Sequence, residues 1–171
     1  MKNIILIGLP SSGKTYLGKK LSEKLSFSFL DTDQLMIQKI NKKNISVQTI
    51  QECYSLLGEK EFRELESNIL SDLNSSNTVI SAGGGIIHKK RNREILKKSG
   101  RILYLKTQLD ILEERIKNQD PRPLFRNNIK EKLKELEVSR ENLFIELADF
   151  IIDANKSEVE ILTNILEKIN Q

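Results

Sequence analysis

The sequence predicts an α/β fold, a three-layer sandwich around a five-stranded parallel sheet. Three observations predict it: short β-branched and aromatic runs recur along the chain, apolar stripes at helical spacing lie between them, and the two kinds of segment alternate. Such alternation implies parallel strands joined by helical crossovers. The chain has 171 residues. Because domains commonly span ~100–200 residues, we expect a single domain, 1–171, with one core.

Five runs have the length and composition of strands, namely 4–7, 27–30, 78–81, 102–105 and 150–152. Between them, apolar residues at steps of three and four mark helices, as in Leu17, Leu21 and Leu25 or in Phe62, Leu65, Ile69 and Leu73. The last helix has a clear start, because Ser157 followed by Glu160 fits a capping box. Each strand is therefore followed by a helix that can cover the sheet.

Composition excludes several classes of protein. Hydrophobic residues make up 38% and charged residues 30%, which is typical of a globular protein. Apolar runs are about four residues long, whereas a spanning helix needs about 18 or more. The first strand follows Met1 almost at once, so no secretory signal is readable, and we expect a cytoplasmic protein. One cysteine, Cys53, and one histidine, His88, form neither a disulfide nor a paired metal site, and Cys53 is predicted to be a buried, idle thiol.

The net charge of +4 comes from one short segment. Residues 89–101 carry seven Lys and Arg against one acidic residue, whereas the rest of the chain is close to balanced or acidic. Nucleic-acid binding would need stacking aromatics or a known reading module, and neither is present. We interpret 89–101 as the solvated face of a helix and expect no nucleic-acid or membrane partner.

A phosphate-binding motif follows the first strand. Residues 8–15, Gly-Leu-Pro-Ser-Ser-Gly-Lys-Thr, match the Walker A pattern and run into the helix that carries Leu17 and Leu21. Backbone N–H groups of such a loop point at phosphate oxygens, and the helix N-terminus adds partial positive charge. Lys14 is predicted to reach the β- and γ-phosphates, and Thr15 to place its hydroxyl on Mg²⁺. A glycine- and serine-rich turn without a ligand is the alternative.

Two aspartates, Asp31 and Asp33, follow the second strand. Ligands of open parallel sheets sit beyond the carboxyl ends of the strands, so both carboxylates should face the cleft. Asp31 is placed to hold magnesium through water, and Asp33 to accept a proton or hydrogen bond from a substrate hydroxyl. The alternative is that either one merely caps the helix over 34–40.

Further candidates lie on helices and loops. Arg140 interrupts the apolar stripe of a helix predicted over 129–147, which favours a cleft with a carboxylate or phosphate, although a snorkelling side chain is the alternative. Arg63 and Glu66 form an i,i+3 pair that, taken alone, indicates ordinary surface chemistry. Gly83, Gly84 and Gly85 leave backbone N–H groups bare at the end of the third strand, or form only a flexible turn. Residues 118–128 read as an exposed lid loop with Arg122 and Arg126.

Taken in order, these motifs resemble the shikimate kinase family over roughly residues 4 to 155. The resemblance rests on the phosphate loop, Asp31-Thr32-Asp33, Phe62-Arg63-x-x-Glu66, the triple glycine, Arg122-Pro123-Leu124, and Arg140 before Glu146 and Ala148. It implies a nucleoside monophosphate kinase-like P-loop fold that closes with a lid. It further implies transfer of phosphate from ATP, with Mg²⁺, to the 3-hydroxyl of shikimate on the route to aromatic amino acids. Its partner would be a small molecule and the protein a monomer.

The resemblance also implies residue roles. Lys14, Asp33 and Arg122 would be catalytic, with Arg122 moving to the phosphates as the lid closes. The nucleotide would be held by Ser11, Ser12, Gly13, Lys14, Thr15, Tyr16, Arg115 and Arg122, with Arg115 stacked on adenine and Asn155 and Lys156 near the same ring. Shikimate would be held by Asp33, Arg63, Gly83, Gly84, Gly85 and Arg140, and the metal by Thr15 and Asp31.

The chain departs from the common family pattern at several positions. Ser11 stands where glycine is usual, Thr15-Tyr16 where Ser-Thr is common, Ala82 where threonine is frequent, and Phe144 where tyrosine is often found. None of these departures removes a charged catalytic group.

Two alternatives remain open at the level of sequence. The first is another small P-loop kinase, acting on gluconate or a nucleoside monophosphate. The second is a nucleotide-dependent switch protein that keeps the phosphate loop and binds a partner through 89–101.

Overall fold

The computed structural model describes residues 2–42, 45–73, 75–118 and 128–170. Its centre is a five-stranded parallel sheet with the strand order β2-β3-β1-β4-β5. The strands are β1 (Asn3–Ile7), β2 (Ser28–Asp31), β3 (Thr78–Ser81), β4 (Gly100–Lys106) and β5 (Phe150–Asp153). All five predicted strands are therefore present, and their ends differ from the predictions by at most two residues.

The helices are α1 (Lys14–Leu25), α2 (Thr32–Asn41), α3 (Ile50–Ser71), α4 (Lys90–Ser99), α5 (Leu109–Asn118), α6 (Ile129–Leu147) and α7 (Glu158–Ile169), with a short 3₁₀ turn at Ile86–His88. Helices α1 and α7 pack on one face of the sheet, and α3 to α6 pack on the other. Alternate residues of β1 point to opposite faces of the sheet. Ile4 and Leu6 pack against α1 and α7, and Ile5 and Ile7 pack on the side of α3 to α6. The predicted three-layer sandwich is confirmed.

A third apolar cluster joins α2 to α3 beside the sheet. Met36, Cys53 and Phe62 are among its buried residues. Cys53 is fully buried, as predicted, and burial raises the pKa of its thiol. Helix α3 is broken at Gly58, whose φ of 71° and ψ of 168° lie in a region that favours glycine. The break lets the first half of α3 turn away from the second.

One prediction about the basic segment is wrong in part. Residues Lys90–Ser99 do form helix α4, but Arg101 lies in β4 and donates to the backbone oxygens of Lys168 and Ile169 at 3.2 and 2.7 Å. Arg101 therefore caps the C-terminal end of α7, where a cation is favoured by the helix dipole. Arg93 is also engaged locally, since it donates to the carbonyl of Ile87 at 2.7 Å.

Strand order positions the functional residues. β1 lies in the middle of the sheet, with β3 on one side and β4 on the other. The loops that follow β1, β2 and β3 thus meet at one edge, beyond the carboxyl ends of the strands, where α/β proteins bind ligands. Within the described residues, no helix is long and apolar enough to cross a membrane.

Candidate active site

A cavity of about 930 Å³ opens at this edge of the sheet. It is lined by the phosphate loop and by residues that follow β2 and β3. Of the described site residues predicted from the sequence, all but Asn155 line this cavity: Ser11, Ser12, Gly13, Lys14, Thr15, Tyr16, Asp31, Asp33, Arg63, Gly83, Gly84, Gly85, Arg115, Arg140 and Lys156. The fold thus brings together residues that are far apart in the chain, such as Ser11 and Arg140.

The phosphate loop has the predicted strand, turn and helix around it. Lys14 begins α1, and its Nζ donates to the carbonyls of Gly8 and Leu9 at 3.0 and 2.8 Å. Position 8 requires glycine, because a Cβ there would lie 2.9 Å from the carbonyl oxygen of Leu105 and from Oγ of Ser12. The ammonium group of Lys14 is therefore held inside the loop, at the N-terminus of a helix, where phosphate is favoured.

Ser11 carries a strain that glycine would avoid. Its φ of 61° is left-handed, although most residues with a side chain avoid that region. Its Oγ is buried and has no hydrogen-bond partner among the described residues. Its carbonyl accepts a hydrogen bond of 3.3 Å from Nη1 of Arg115. The departure at Ser11 is accommodated in the loop backbone, and its carbonyl helps to hold Arg115.

Thr15, Asp31 and Ser81 form an oxygen cluster beside the loop. The Thr15 hydroxyl donates to Oδ2 of Asp31 at 2.7 Å and lies 3.3 Å from Oγ of Ser81. Oδ1 of Asp31 accepts from the backbone N–H groups of Asp33 and Gln34, so Asp31 also caps α2. Asp31 therefore does both things that the sequence offered as alternatives, since one oxygen caps α2 and the other faces Thr15 at the cavity. Ser81, the last residue of β3, was missed as a site residue because serine at a strand end carries no distinctive signal.

The triple glycine makes room for three charged side chains. A Cβ on Gly83 would collide with the carboxylate of Asp33. A Cβ on Gly84 would lie 2.9 Å from Nη1 of Arg140, and one on Gly85 would lie 2.5 Å from Nη1 of Arg63. Each glycine thus lies beneath a different charged group, which explains why three of them occur in succession and disfavours the simple flexible turn.

Glu66 is buried and Arg63 is half-buried at the cavity wall, so treating the pair as ordinary surface chemistry is wrong. Nη1 of Arg63 donates to Oε2 of Glu66 at 2.7 Å, and their side chains are only 20% and 4% exposed. Burial raises the pKa of Glu66, whereas its hydrogen bond from Arg63 acts in the opposite direction. The pair is withdrawn from solvent because the second half of α3 packs against the residues that follow β3, a tertiary contact that i,i+3 spacing does not reveal.

Arg140 has a buried donor that is not satisfied within the described part of the chain. It lies on α6 at the cavity, as predicted, and its Nε is buried without a hydrogen-bond partner in the described part of the chain. Burial, and then the positive charge of Arg63, lower the pKa of Arg140 to about 10. That pKa still leaves the guanidinium charged at neutral pH. A buried cation with an unsatisfied donor is costly, so the geometry favours an incoming anion over a snorkelling side chain.

The opposite end of the cavity lies between α1, α5 and α7. Arg115 donates to the carbonyl of Ala154 at 3.4 Å, and Lys156 lines the cavity nearby. Asn155 is held by its neighbours, since its Oδ1 accepts from the backbone N–H of Gln108 at 2.8 Å. Arg115 thus connects the phosphate loop to the turn after β5, which is where the resemblance placed the adenine ring.

Sequence reasoning missed an apolar wall at the acceptor end. Ile50, Tyr54, Phe62 and Leu136 line the cavity there, and the rings of Tyr54 and Phe62 meet edge to face with centroids 5.2 Å apart. The sequence indicates Phe62 as part of an apolar helical stripe and of the motif with Arg63 and Glu66, but not as a residue that lines the cavity. Tyr54 lies in the half of α3 before Gly58, which had not been recognised as a separate arm over the cavity.

Arg122 and almost all of the predicted lid, 118–128, fall outside the described residues. Asn118 ends α5 and Asn128 directly precedes α6. The roles given to Arg122 and to the lid stay predictions.

A phosphate loop and a cation-lined acceptor pocket that share one sheet edge define a P-loop kinase acting on a small molecule. The family model that matches the chain is that of shikimate kinase, over residues 10–170. Shikimate kinase 2 of Photorhabdus laumondii is 37% identical over 168 residues, which are 96% of this chain and 93% of that one. The chain therefore belongs to the shikimate kinase family, which confirms the resemblance found in the sequence and makes it an ATP-dependent kinase that acts on shikimate.

Solved structures agree with this assignment. A shikimate kinase from Acinetobacter baumannii in complex with shikimate is 32% identical, with a TM-score of 0.88, and the match covers 99% of this chain and 93% of that one. A gluconokinase from Sinorhizobium meliloti has a TM-score of 0.58 at 18% identity, covering 99% of this chain and 95% of that one, which shows a common fold only.

Proposed function

We propose that this chain transfers the γ-phosphate of ATP to the 3-hydroxyl of shikimate, with the nucleotide on the phosphate loop and the acid on Arg63 and Arg140. One observation carries the proposal. The position where Gly84 would have a Cβ is 2.9 Å from Nη1 of Arg140 and 3.5 Å from the carbonyl of Gly8, the same carbonyl that accepts from Lys14. Gly84 thus lies next to both the guanidinium of Arg140 and the loop carbonyl that holds Lys14, so two anionic substrates bound to these cations would lie close together.

The chemical step then asks mainly for positioning and charge stabilisation. The hydroxyl oxygen attacks the γ-phosphorus, the bond to the bridging oxygen breaks, and ADP leaves with that electron pair. Asp33, next to Gly83, would orient the hydroxyl and accept its proton. Lys14 would stabilise the charge that develops on the β- and γ-phosphates, and Arg122 would add a second cation when the lid closes.

A magnesium ion fits the oxygen cluster of Thr15, Asp31 and Ser81. Mg²⁺ prefers oxygen ligands and is commonly held through one or two carboxylates together with substrate phosphates. No group of three or more His, Cys, Asp or Glu residues suited to a metal occurs in the described ranges, which agrees with an ion that arrives with the nucleotide. We propose that Thr15 and Asp31 hold it, and that when bound it neutralises charge on the β- and γ-phosphates.

The acceptor pocket suits a hydroxylated carboxylate better than a nucleotide base. Two arginines converge there with one aspartate, and the apolar wall of Tyr54 and Phe62 can cover one face of a carbon ring. A base would instead need neutral donors and acceptors for its edge. We also propose that the chain is one kinase domain, works as a cytoplasmic monomer, and has a small molecule as its partner.

The test is release of ADP by the purified chain with Mg²⁺ and ATP, measured with shikimate, gluconate or AMP as acceptor. We expect shikimate alone to stimulate release, because it alone offers a carboxylate on a carbon ring. Stimulation by gluconate or AMP would instead identify another small P-loop kinase. Nucleotide binding with no stimulation by any acceptor would favour the switch protein and contradict the proposal.

Substituting Gly84 with alanine tests the role of the glycines. The new methyl group would meet Nη1 of Arg140 at 2.9 Å, and the flexible guanidinium should move aside. We expect the KM for shikimate to rise about tenfold, a change that about 1.4 kcal/mol of binding energy produces, while the KM for ATP changes little. Steady-state kinetics with each substrate varied in turn measure both. A rise confined to the KM for ATP would show that Gly84 serves the nucleotide instead.

A further inference from the structure

One hydrogen bond joins the two helices beside the nucleotide end of the cavity. The Tyr16 hydroxyl, in the first turn of α1, donates to Oε2 of Glu158, in the first turn of α7. Both residues line the cavity, and Tyr16 is 56% exposed although its hydroxyl is hydrogen-bonded. This hydrogen bond raises the pKa of Tyr16, so its hydroxyl remains a donor at neutral pH. Tyr16 is one of the departures from the common family pattern that the sequence shows.

Glu158 is not required for the start of its own helix. The capping box of α7 is formed by Ser157 and Glu160: the backbone N–H of Glu160 donates to Oγ of Ser157, and Oε2 of Glu160 accepts from the backbone N–H of Ser157. Oε1 of Glu158 accepts no hydrogen bond from the part of the chain that the structure describes. One carboxylate oxygen is thus fixed by Tyr16, and the other is available at the cavity wall.

Tyr16 and Glu158 lie where the sugar is expected if a nucleotide occupies the proposed site. Phosphates belong at the loop that ends with Thr15, immediately before Tyr16. The resemblance implies that the base lies near Arg115 and Lys156. Both residues line the cavity, and Lys156 is two residues before Glu158. The ribose must lie between its phosphates and its base, and therefore beside Tyr16 and Glu158. A carboxylate that accepts hydrogen bonds from ribose hydroxyls is a common way to recognise this sugar in other nucleotide-binding proteins.

We propose that Glu158, held in place by Tyr16, accepts a hydrogen bond from the ribose 2′-hydroxyl of ATP and makes the chain discriminate against 2′-deoxynucleotides. Glu158 is then a specificity-determining residue and Tyr16 its positioning residue. The inference rests on the proposed nucleotide site. A purely repulsive role of Glu158 toward the phosphates is the competing explanation, and it predicts a different response to substitution.

The experiment compares ADP with 2′-deoxyADP, each titrated calorimetrically with Mg²⁺ into the full chain without shikimate. For the unaltered chain we expect 2′-deoxyADP to bind about tenfold more weakly, the ratio that about 1.4 kcal/mol of lost hydrogen bonding gives. Glu158→Ala should bring this ratio close to one through weaker ADP binding. Tyr16→Phe keeps the ring and should lower the ratio about threefold, because Glu158 is no longer held.

A matched control is Glu167→Ala, since Glu167 is an exposed carboxylate near the other end of α7. It should keep the tenfold ratio. An unaltered chain that binds both nucleotides equally, or a Glu158→Ala variant that keeps the tenfold ratio, would overturn the proposal. So would tighter binding of both nucleotides by Glu158→Ala, which is the mark of repulsion. The titration needs no turnover, so a chain that binds ADP but fails to phosphorylate shikimate contradicts the proposed function and still tests Glu158.

Discussion

Replacing Lys14 with methionine is expected to lower kcat about a thousandfold, the upper range for loss of one preorganised charge-stabilising donor. Methionine keeps the unbranched shape of the side chain and removes only the ammonium group, which lies between the carbonyls of Gly8 and Leu9 in the phosphate loop. Charge accumulates on the phosphates as the transferring bond breaks, so the contact gains strength in the transition state and its loss appears mainly in kcat. The measurement is ADP release at saturating ATP and shikimate.

Lys24→Met is the matched control, because Lys24 is exposed in the last turn of the same helix. It should leave kcat unchanged. Because Lys14 also holds the loop carbonyls, a thermal melt must accompany the kinetics. A folded Lys14→Met variant whose kcat stays within threefold of the unaltered enzyme would show that Lys14 does not contact the transferring phosphate.

The second large effect is expected for Arg140→Met. In the proposed complex Arg140 pairs with the carboxylate of shikimate. Removing one partner of such a desolvated, hydrogen-bonded charge pair costs about 2–5 kcal/mol, so we expect the KM for shikimate to rise at least about thirtyfold. The KM for ATP should change much less, because Arg140 lies on the acceptor side of Gly84. Arg91→Met on α4 removes an exposed guanidinium and serves as the control.

The thermal stability of Arg140→Met should not fall, although its binding of shikimate does. Folding lowers the pKa of Arg140 to about 10, which means that the folded state disfavours the charged form. The resulting penalty is present at every pH below that value, including neutral pH, and disappears only as the pH rises above it and the group loses its proton. Removing the charge removes the penalty, so the Tm of Arg140→Met without shikimate should equal or exceed that of the unaltered chain.

Melting curves with and without shikimate separate the two contributions. Ligands that bind only the folded state raise its Tm. Shikimate should therefore raise the Tm of the unaltered chain and leave that of Arg140→Met nearly unchanged. A variant that still responds fully to shikimate would mean that the carboxylate binds elsewhere.

Local patterns predicted much of this protein. The strands and the helix Ile129–Leu147 were predictable because the period of apolar residues is set by backbone geometry. The phosphate loop was predictable because its function requires glycine, lysine and a hydroxyl at fixed spacing between a strand and a helix. The position of Arg140 on the apolar stripe of a helix also predicted that its charge would be withdrawn from solvent.

Other features could not be predicted from sequence spacing. Arg63 and Glu66 look like any surface pair until the second half of α3 packs beside the triple glycine. The sequence places Arg101 in a basic helix. In the structure β4 begins two residues before its apolar run, so Arg101 lies in the strand and donates to the carbonyl of Lys168. In both cases the decisive contact joins residues that are far apart in the chain.

The sequence by itself determined the α/β fold, the phosphate loop and the family, because each depends on residue types at short, fixed separations. Only the tertiary structure decided how each of Gly83, Gly84 and Gly85 makes room for a different charged side chain, and that Tyr16 meets Glu158 across 142 positions. The physical reason is that strand order sets which loops become neighbours. Burial and hydrogen bonding between those loops depend on the packed sheet, and no local periodicity encodes them.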